Sequence, residues 1–177
     1  MTMPQEGGQV LPHLPDKEAL AALGEISVRH GYLDFVLKRT IRDLADIPTD
    51  EADKVLSRTG SAELRSMVKR HAKQRLGKGH PYLLRLKAML RDCQDVTEQR
   101  NRLVHDPWVR WYDGDGTAGR YRDGEALKLP AISELKALGE RIHLLASRLD
   151  WERLQGGLAT ALMDLHEEAL AAKQRPT

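Results

Sequence analysis

The chain has 177 residues, enough for one domain with a real core. It is 41% hydrophobic with a single Phe, which favours helices over strands, and its 28 Lys and Arg against 26 Asp and Glu leave a net charge of +2, which neither demands nor excludes a nucleic-acid partner. The lone Cys93 excludes an internal disulfide or a zinc framework, no apolar run approaches the roughly 20 residues of a membrane span, and the N-terminus lacks the pattern of a secretory signal, so the expectation is a soluble, cytoplasmic protein with no membrane partner.

Residues 1–14 hold Pro4, Gly7, Gly8 and Pro12 without periodicity and read as a flexible tail. Asp16 caps a long helix running to about Asp46, with Leu23, Ile26, Leu33, Leu37, Ile41 and Leu44 near a 3.6-residue period. His30 fills the gap in that stripe and reads as a packed, hydrogen-bonded helix residue. Gly24 and Gly31 lie inside the pattern and weaken the case for one unbroken helix. A second helix, or only a turn, spans Asp50 to Arg58, and Gly60-Ser61 breaks and caps before a helix from Ala62 to Leu76. His80-Pro81 opens a third major helix with Leu83, Leu86, Leu90, Cys93, Val96 and Thr97 inward.

Two short β-prone pieces, Val109 to Tyr112 and Arg120 to Arg122, flank a Gly/Asp loop and predict a hairpin insertion over about 108–123. The loop matches G-x-G-x-x-G from Gly114 to Gly119, but without a preceding buried strand and a following helix it reads as a hairpin tip. Pro130 restarts helix, with Ile132, Leu135, Leu138, Ile142, Leu145 and Leu149 as a narrow apolar seam. After the break at Gln155-Gly156-Gly157, Leu158 to Ala172 forms a last helix with Leu162, Leu165 and Ala169 inward, and residues 173–177 are tail. The fold class is all-α. An up-and-down bundle of four to five helices carries a small β-hairpin and forms a single domain over 15–172.

Between Arg58 and Lys78 the basic residues outnumber Glu63 by seven to one. Such a band is either a solvated helix face or a phosphate-backbone track, with Arg65, Lys69, Arg70 and Lys73 as the candidate RNA contacts. Trp108, Trp111 and Tyr112 either stack bases or pack on the bundle. No residues are paired at metal-ligand spacing, and neither a metal nor a cofactor is expected.

The segment Glu98 to Trp108 is polar where a helix should be closing its core. The inward stripe Leu86, Leu90, Cys93, Thr97 continues through Arg100 and Val104, and an inward Arg is costly unless it meets an anion or a groove. Asn101 and His105 share one helix face, and Glu98 lies seven residues before His105 on nearly the same face. Arg100 lies about 140° from His105 on an ideal helix, so the two converge only if Arg100 reaches along the surface, if Pro107 re-aims His105, or across a two-fold axis. One reading is structural: Arg100 pairs with Asp106 or Glu98, and His105 caps the helix end. The other is chemical. A histidine to move protons, an arginine to clamp phosphate and an asparagine to orient suit RNA cleavage through its own 2′-OH.

Arg100-Asn101-Arg102-Leu103-Val104-His105, set within Glu98 to Trp108 at the end of a core helix, resembles the R-x4-H motif of the HEPN superfamily, the higher eukaryotes and prokaryotes nucleotide-binding domains. The resemblance implies a helical bundle over roughly Pro15 to Ala172, usually homodimeric, with two copies of the motif in one cleft. It also implies a metal-independent endoribonuclease, with Arg100 and His105 as catalytic pair, Asn101 beside them, and Glu98 and Asp106 in support. Many such proteins are toxins paired with a protein antitoxin or act in phage defence. Others lack activity and serve as dimerisation, sensing or scaffold modules, so the implied alternative is a non-catalytic nucleotide- or RNA-sensing module.

Overall fold

The computed structural model describes residues 9–112 and 118–174. Within them lie β1 (Gln9–Pro12), α1 (Lys17–Ala45), α2 (Thr49–Leu56), α3 (Ser61–Leu76), α4 (Tyr82–His105), β2 (Trp108–Tyr112), β3 (Ala118–Arg122), β4 (Glu125–Lys128), α5 (Ile132–Leu154) and α6 (Gly157–Lys173). The class is the expected one, a helical bundle with a small antiparallel β insertion. Two compact units divide the chain: Met1–Val28 with Glu98–Arg141, and Arg29–Thr97 with Ile142–Thr177. The helices α1, α4 and α5 each lend a segment to both.

In the first unit, Asp16 caps α1 as expected, its carboxylate accepting from the Ala19 amide at 2.8 Å. The start of α5 is closed reciprocally: Glu134 reaches back to the Ala131 amide at 2.7 Å. Ala19, Ala22, Ile26, Leu103, Val109, Leu135 and Leu138 are the buried apolar residues here. The hairpin is larger than its sequence signals suggest. Four antiparallel strands lie in the order β1-β2-β3-β4, with Leu11 opposite Arg110, Trp108 opposite Arg120 and Arg120 opposite Leu127. Residues 9–12, read from sequence as tail, supply β1, because a segment too short to show periodicity can still pair its backbone on an open strand edge. Asp123 and Gly124 both have positive φ, 49° and 87°, and form the two-residue turn that joins β3 to β4. The tip proposed around Gly114, residues 113–117, lies outside the described residues.

In the second unit, Val36, Leu37, Ile41, Leu44, Leu56, Leu64, Val68, Ala72, Leu86, Met89, Leu149 and Leu158 form the core. Residues 49–56 are helix rather than turn. Ser61 does not cap α3. Gly60 occupies the cap position, and the Ser61 hydroxyl instead donates to Asp34 Oδ2 at 2.9 Å. His30 is buried and bonded as its place on the stripe predicts, with Nε2 3.1 Å from Thr97 Oγ1. Thr97 in turn donates to the Cys93 carbonyl at 2.6 Å, and Asp34 Oδ2 lies 3.6 Å from His30 Nδ1. This chain of polar groups ties α1, α3 and α4 together inside the core, where each member would be costly if left unpaired.

Glu152 is fully buried, paired with Arg85 and accepting from the Gly157 amide at 2.9 Å. Burial, and then the neighbouring Glu152 carboxylate, push the Tyr82 phenol well above its usual range. A Cβ on Gly156 would lie 2.5 Å from the Trp151 ring, and one on Gly157 2.9 Å from the Tyr82 ring, so the α5–α6 joint admits only glycine. Of the apolar residues assigned to the inner face of α6, Leu162 and Leu165 pack on the core, but Ala169 is exposed, because α6 runs on past the partners that cover its first turns.

The two glycines that weakened the case for one long helix do not break it: α1 is continuous, and a Cβ at Gly24 or Gly31 would meet nothing within 4 Å. Gly24→Ala and Gly31→Ala are therefore expected to stabilise the protein by about 0.5–1 kcal/mol each, read as a later urea midpoint at unchanged slope. An earlier midpoint would show that the open space is used by something other than solvent. Burial also pushes the Cys93 thiol up to about 12. It should stay silent to a disulfide reagent at pH 8 in the native protein and react fully in denaturant. Rapid native labelling would contradict the packing described.

Candidate functional site

The expected catalytic and supporting residues Glu98, Arg100, Asn101, His105 and Asp106, with Trp108, fall in the first unit, on the last turns of α4 and the residues just beyond. The helix stays regular through His105, so Pro107 ends it without re-aiming the imidazole. Asn101 and His105 are exposed on one face, with Glu98 exposed a turn earlier.

The inward stripe departs from the expected one at its end. Val96 and Leu103 are buried, whereas Val104, expected inward, is 42% exposed. Arg100 sits between Val96 and Leu103 in the helical progression and is half-buried. Val104 lies five full turns beyond Leu86 and so on the same line of the helix, which means that period alone does not account for its exposure; Val96 and Leu103, seven residues apart, share the neighbouring face, and that is the face covered at the end of α4. Arg100 is thus an edge residue. Its Nε is shielded without a hydrogen-bond partner, while Nη1 emerges to donate to Asn101 Oδ1 at 3.0 Å. Of the two acids weighed as partners for Arg100, Asp106 is committed to Arg120 and Arg122, and the contact seen at the Arg100 guanidinium is with Asn101.

Asp106 has a role that spacing did not suggest. Arg122 grips it through Nε at 3.1 Å and through Nη2 at 2.6 and 2.5 Å, and Arg120 Nη1 adds a contact at 3.3 Å. The carboxylate therefore fastens the end of α4 to β3. Two carbonyls of the last helical turn are met by side chains: Trp108 Nε1 donates to Leu103 O at 3.0 Å and Arg120 Nη1 to Arg102 O at 3.3 Å. Trp108 is half-buried in that role, which places its indole nitrogen in the cap and not against a base. Arg120 has its pKa lowered, by burial first and in spite of Asp106. Beside this clamp, Gln99, Arg102, Leu103, Arg120, Lys128, Leu129, Pro130, Glu134, Leu135 and Leu138 line a cavity of about 370 Å³. Arg100, Asn101 and His105 do not line it. Asn101 and His105 are exposed and Arg100 is half-buried.

The four basic candidates Arg65, Lys69, Arg70 and Lys73 lie on α3 in the second unit. Arg65 is half-buried and donates to Thr97 Oγ1 at 3.4 Å, while Lys69, Arg70 and Lys73 are exposed. The side chains of Trp111 and Tyr112 lie outside the described residues. Sequence reading missed Arg120 and Arg122 as the partners of Asp106. The available signal was Asp123-Gly124, a hairpin dipeptide that places the two arginines on a strand returning toward the helix end. No helix among the described residues is long and apolar enough to cross a membrane. No protein-family model, curated protein or solved structure matches the chain.

Removing the central carboxylate leaves two partly buried guanidinium groups facing each other. Asp106→Ala is expected to cost about 3 kcal/mol, seen as a lowered unfolding midpoint. Arg122→Gln, which keeps Arg120 on the carboxylate, should cost less than half as much. Equal, small losses for both would show that the clamp does not hold the helix end.

Proposed function

We propose that the chain is a metal-independent endoribonuclease of HEPN type that acts through Arg100, Asn101 and His105. The observation that carries this reading is the arrangement at the end of α4: His105 and Asn101 on one exposed face, with the Arg100 guanidinium drawn toward that face by its bond to Asn101 Oδ1. In the proposed reaction the RNA's own 2′-oxygen attacks the adjacent phosphorus. The 2′-proton passes to a histidine, the P–O5′ bond breaks, and a proton is delivered to the departing 5′-oxygen, leaving a 2′,3′-cyclic phosphate. Arg100 holds the non-bridging oxygens as negative charge builds. Asn101 keeps the guanidinium aimed.

One histidine cannot be base and acid at once in the same step. A second copy of this face, set across a two-fold axis, supplies the second imidazole and brings each Arg100 near the other copy's His105. Val104 is the apolar residue on that open face, and its contact with its own symmetry mate gives the dimer a dry centre. The biological setting proposed with this activity is that of a toxin held by a protein antitoxin or a phage-defence effector in the cytoplasm.

A second reading is supported by the divergence of Arg100 and His105 on a regular helix. In it the same face serves self-association or RNA sensing without chemistry. The two readings separate on cleavage of a labelled RNA in the presence of a chelator, with wild type, Arg100→Ala and His105→Ala compared alongside their toxicity on expression. The expected result is a loss of about 100-fold or more for each variant with dimerisation retained. Equal cleavage by all three would sink the catalytic assignment. A dimer that cuts no RNA would leave the sensing reading.

A further inference from the structure

The second unit contains a groove that the catalytic reading does not use. It lies between α3 and α4, has a volume of about 600 Å³, and is lined by Ala62, Arg65, Ser66 and Lys69 from one helix and Leu84, Lys87, Leu90, Arg91 and Gln94 from the other. Four of these nine residues are cations. The nearby acids Glu63, Asp92 and Asp95 are not among the lining residues. None of the four cations is ion-paired with a carboxylate among the described residues, although ion pairs form elsewhere in the unit. Two are preset: Lys87 is half-buried, and the Arg65 guanidinium is tethered to Thr97, itself held by His30 and the Cys93 carbonyl. Concentrating unpaired positive charge against half-buried walls is unfavourable in isolation and favourable once an anion enters.

A second, shallower depression shares Ser66 and Lys69 with the groove and continues along α3 with Arg70, Lys73 and Gln74. From Arg65 to Lys73 the helix rises about 12 Å, the span of several phosphates on one strand. A ligand covering both depressions is a chain of phosphates, not a single one. No aromatic side chain lines either depression, so there is no platform for stacking bases. Leu84, 73% exposed at the groove wall, offers only apolar contact.

We propose that this groove binds the phosphate backbone of single-stranded nucleic acid, without base preference, through Arg65, Lys69, Lys87 and Arg91 and onward to Arg70 and Lys73. Lys87 and Arg91 are the new members, outside the basic band that the sequence displays. The proposal shares with the ribonuclease reading the class of ligand but does not require that Arg100 or His105 be catalytic.

The test uses the full chain carrying His105→Ala, so that no substrate is consumed, and fluorescence anisotropy of labelled 12-nucleotide RNA and DNA strands of mixed sequence across a salt series. Lys87→Gln/Arg91→Gln is expected to weaken binding about 10-fold and to flatten the slope of log affinity against log salt by about 1.4, two phosphate contacts' worth. Lys54→Gln/Lys173→Gln, which removes the same charge from exposed positions outside both depressions and outside the basic band, should change affinity less than 2-fold. Equal losses from the two pairs, or none from the first, would overturn the groove. So would displacement of the strand by pyrophosphate or a mononucleotide at matching phosphate concentration, which marks a small-anion site. A circular dichroism spectrum unchanged by Lys87→Gln/Arg91→Gln keeps the loss attributable to contacts. If Arg100→Ala and His105→Ala cut like wild type while Lys87→Gln/Arg91→Gln still loses binding, the catalytic reading fails and the groove stands.

Discussion

The carboxylate of Asp106 is the constraint on which the first unit turns. A helix end leaves carbonyls without partners and a chain free to leave in many directions. Here one carboxylate takes both arginines of a returning strand, and the same strand and the first residue of β2 send donors to the Arg102 and Leu103 carbonyls. Backbone bonds complete the fastening: the His13 amide donates to Trp108 O at 2.9 Å and the Tyr121 amide to Pro107 O at 3.0 Å. β3 thus holds the two residues that follow the helix, Asp106 and Pro107, and the residue just after β1 holds Trp108, the first of β2. The consequence for the site is direct. His105 is held in the last helical position with its side chain outward, and the carboxylate next to it in sequence is occupied. An arrangement in which Asp106 orients the imidazole would have to give up the clamp.

The second unit solves a different problem, that of holding polar groups inside a helical core. Ser61, Asp34, His30, Thr97 and Arg65 form one path of contacts between 2.9 and 3.6 Å, from the start of α3 through α1 to α4 and back to α3. Seen without its surroundings, Asp34–His30–Thr97 has the order of an acid, a base and a hydroxyl nucleophile. Its burial and the donation of the hydroxyl to the Cys93 carbonyl argue against that use, since the hydroxyl proton is already committed and no substrate reaches it. The network instead specifies how three helices register, and it fixes Arg65 at the groove between α3 and α4. One guanidinium is thus tied to the core through Thr97 and lines the groove beside Lys69, Lys87 and Arg91.

The long helices were legible because their apolar period is sustained: Ile26, Leu33, Leu37 and Ile41, or Leu135, Leu138, Ile142 and Leu149, are buried as spaced. Caps were legible where a side chain acts on its own helix, as Asp16 does, and misjudged where a tertiary partner competes, as Asp34 does for Ser61. The sheet was half legible. A strand such as β1 carries no periodic signal in four residues, and its existence depends on β2, about 100 positions later, offering an edge. For the site, the placement of Asn101 and His105 on one face followed from spacing alone. The engagement of Asp106 did not, because Arg120 and Arg122 reach it through a fold in the chain that only the Asp123-Gly124 turn announces. Nothing in the spacing of Lys87 and Arg91 sets them beside Arg65 and Lys69; the four come together only where α3 lies beside α4.

The end of α4 then poses a question of geometry more than of residue type. On a regular helix Arg100 and His105 point about 140° apart, and the structure keeps the helix regular. What narrows the gap is Asn101. It lies next to Arg100 in sequence and one turn before His105 in space, and its side-chain oxygen takes the Arg100 Nη1 proton. The guanidinium is thereby turned from the buried edge, where Nε stays shielded and unbonded, toward the face that carries the imidazole. An arginine left with an unsatisfied Nε gains from any anion that lets its head group reorient, because the cost of the shielded N–H is already present in the free protein. A phosphate arriving at this face would find the cation half-extracted and an exposed imidazole one turn along. A self-complementary pairing of two such faces would double both groups about Val104. The arrangement of Asn101 thus accounts for how Arg100 and His105, which diverge on a regular helix, can still present a single polar surface.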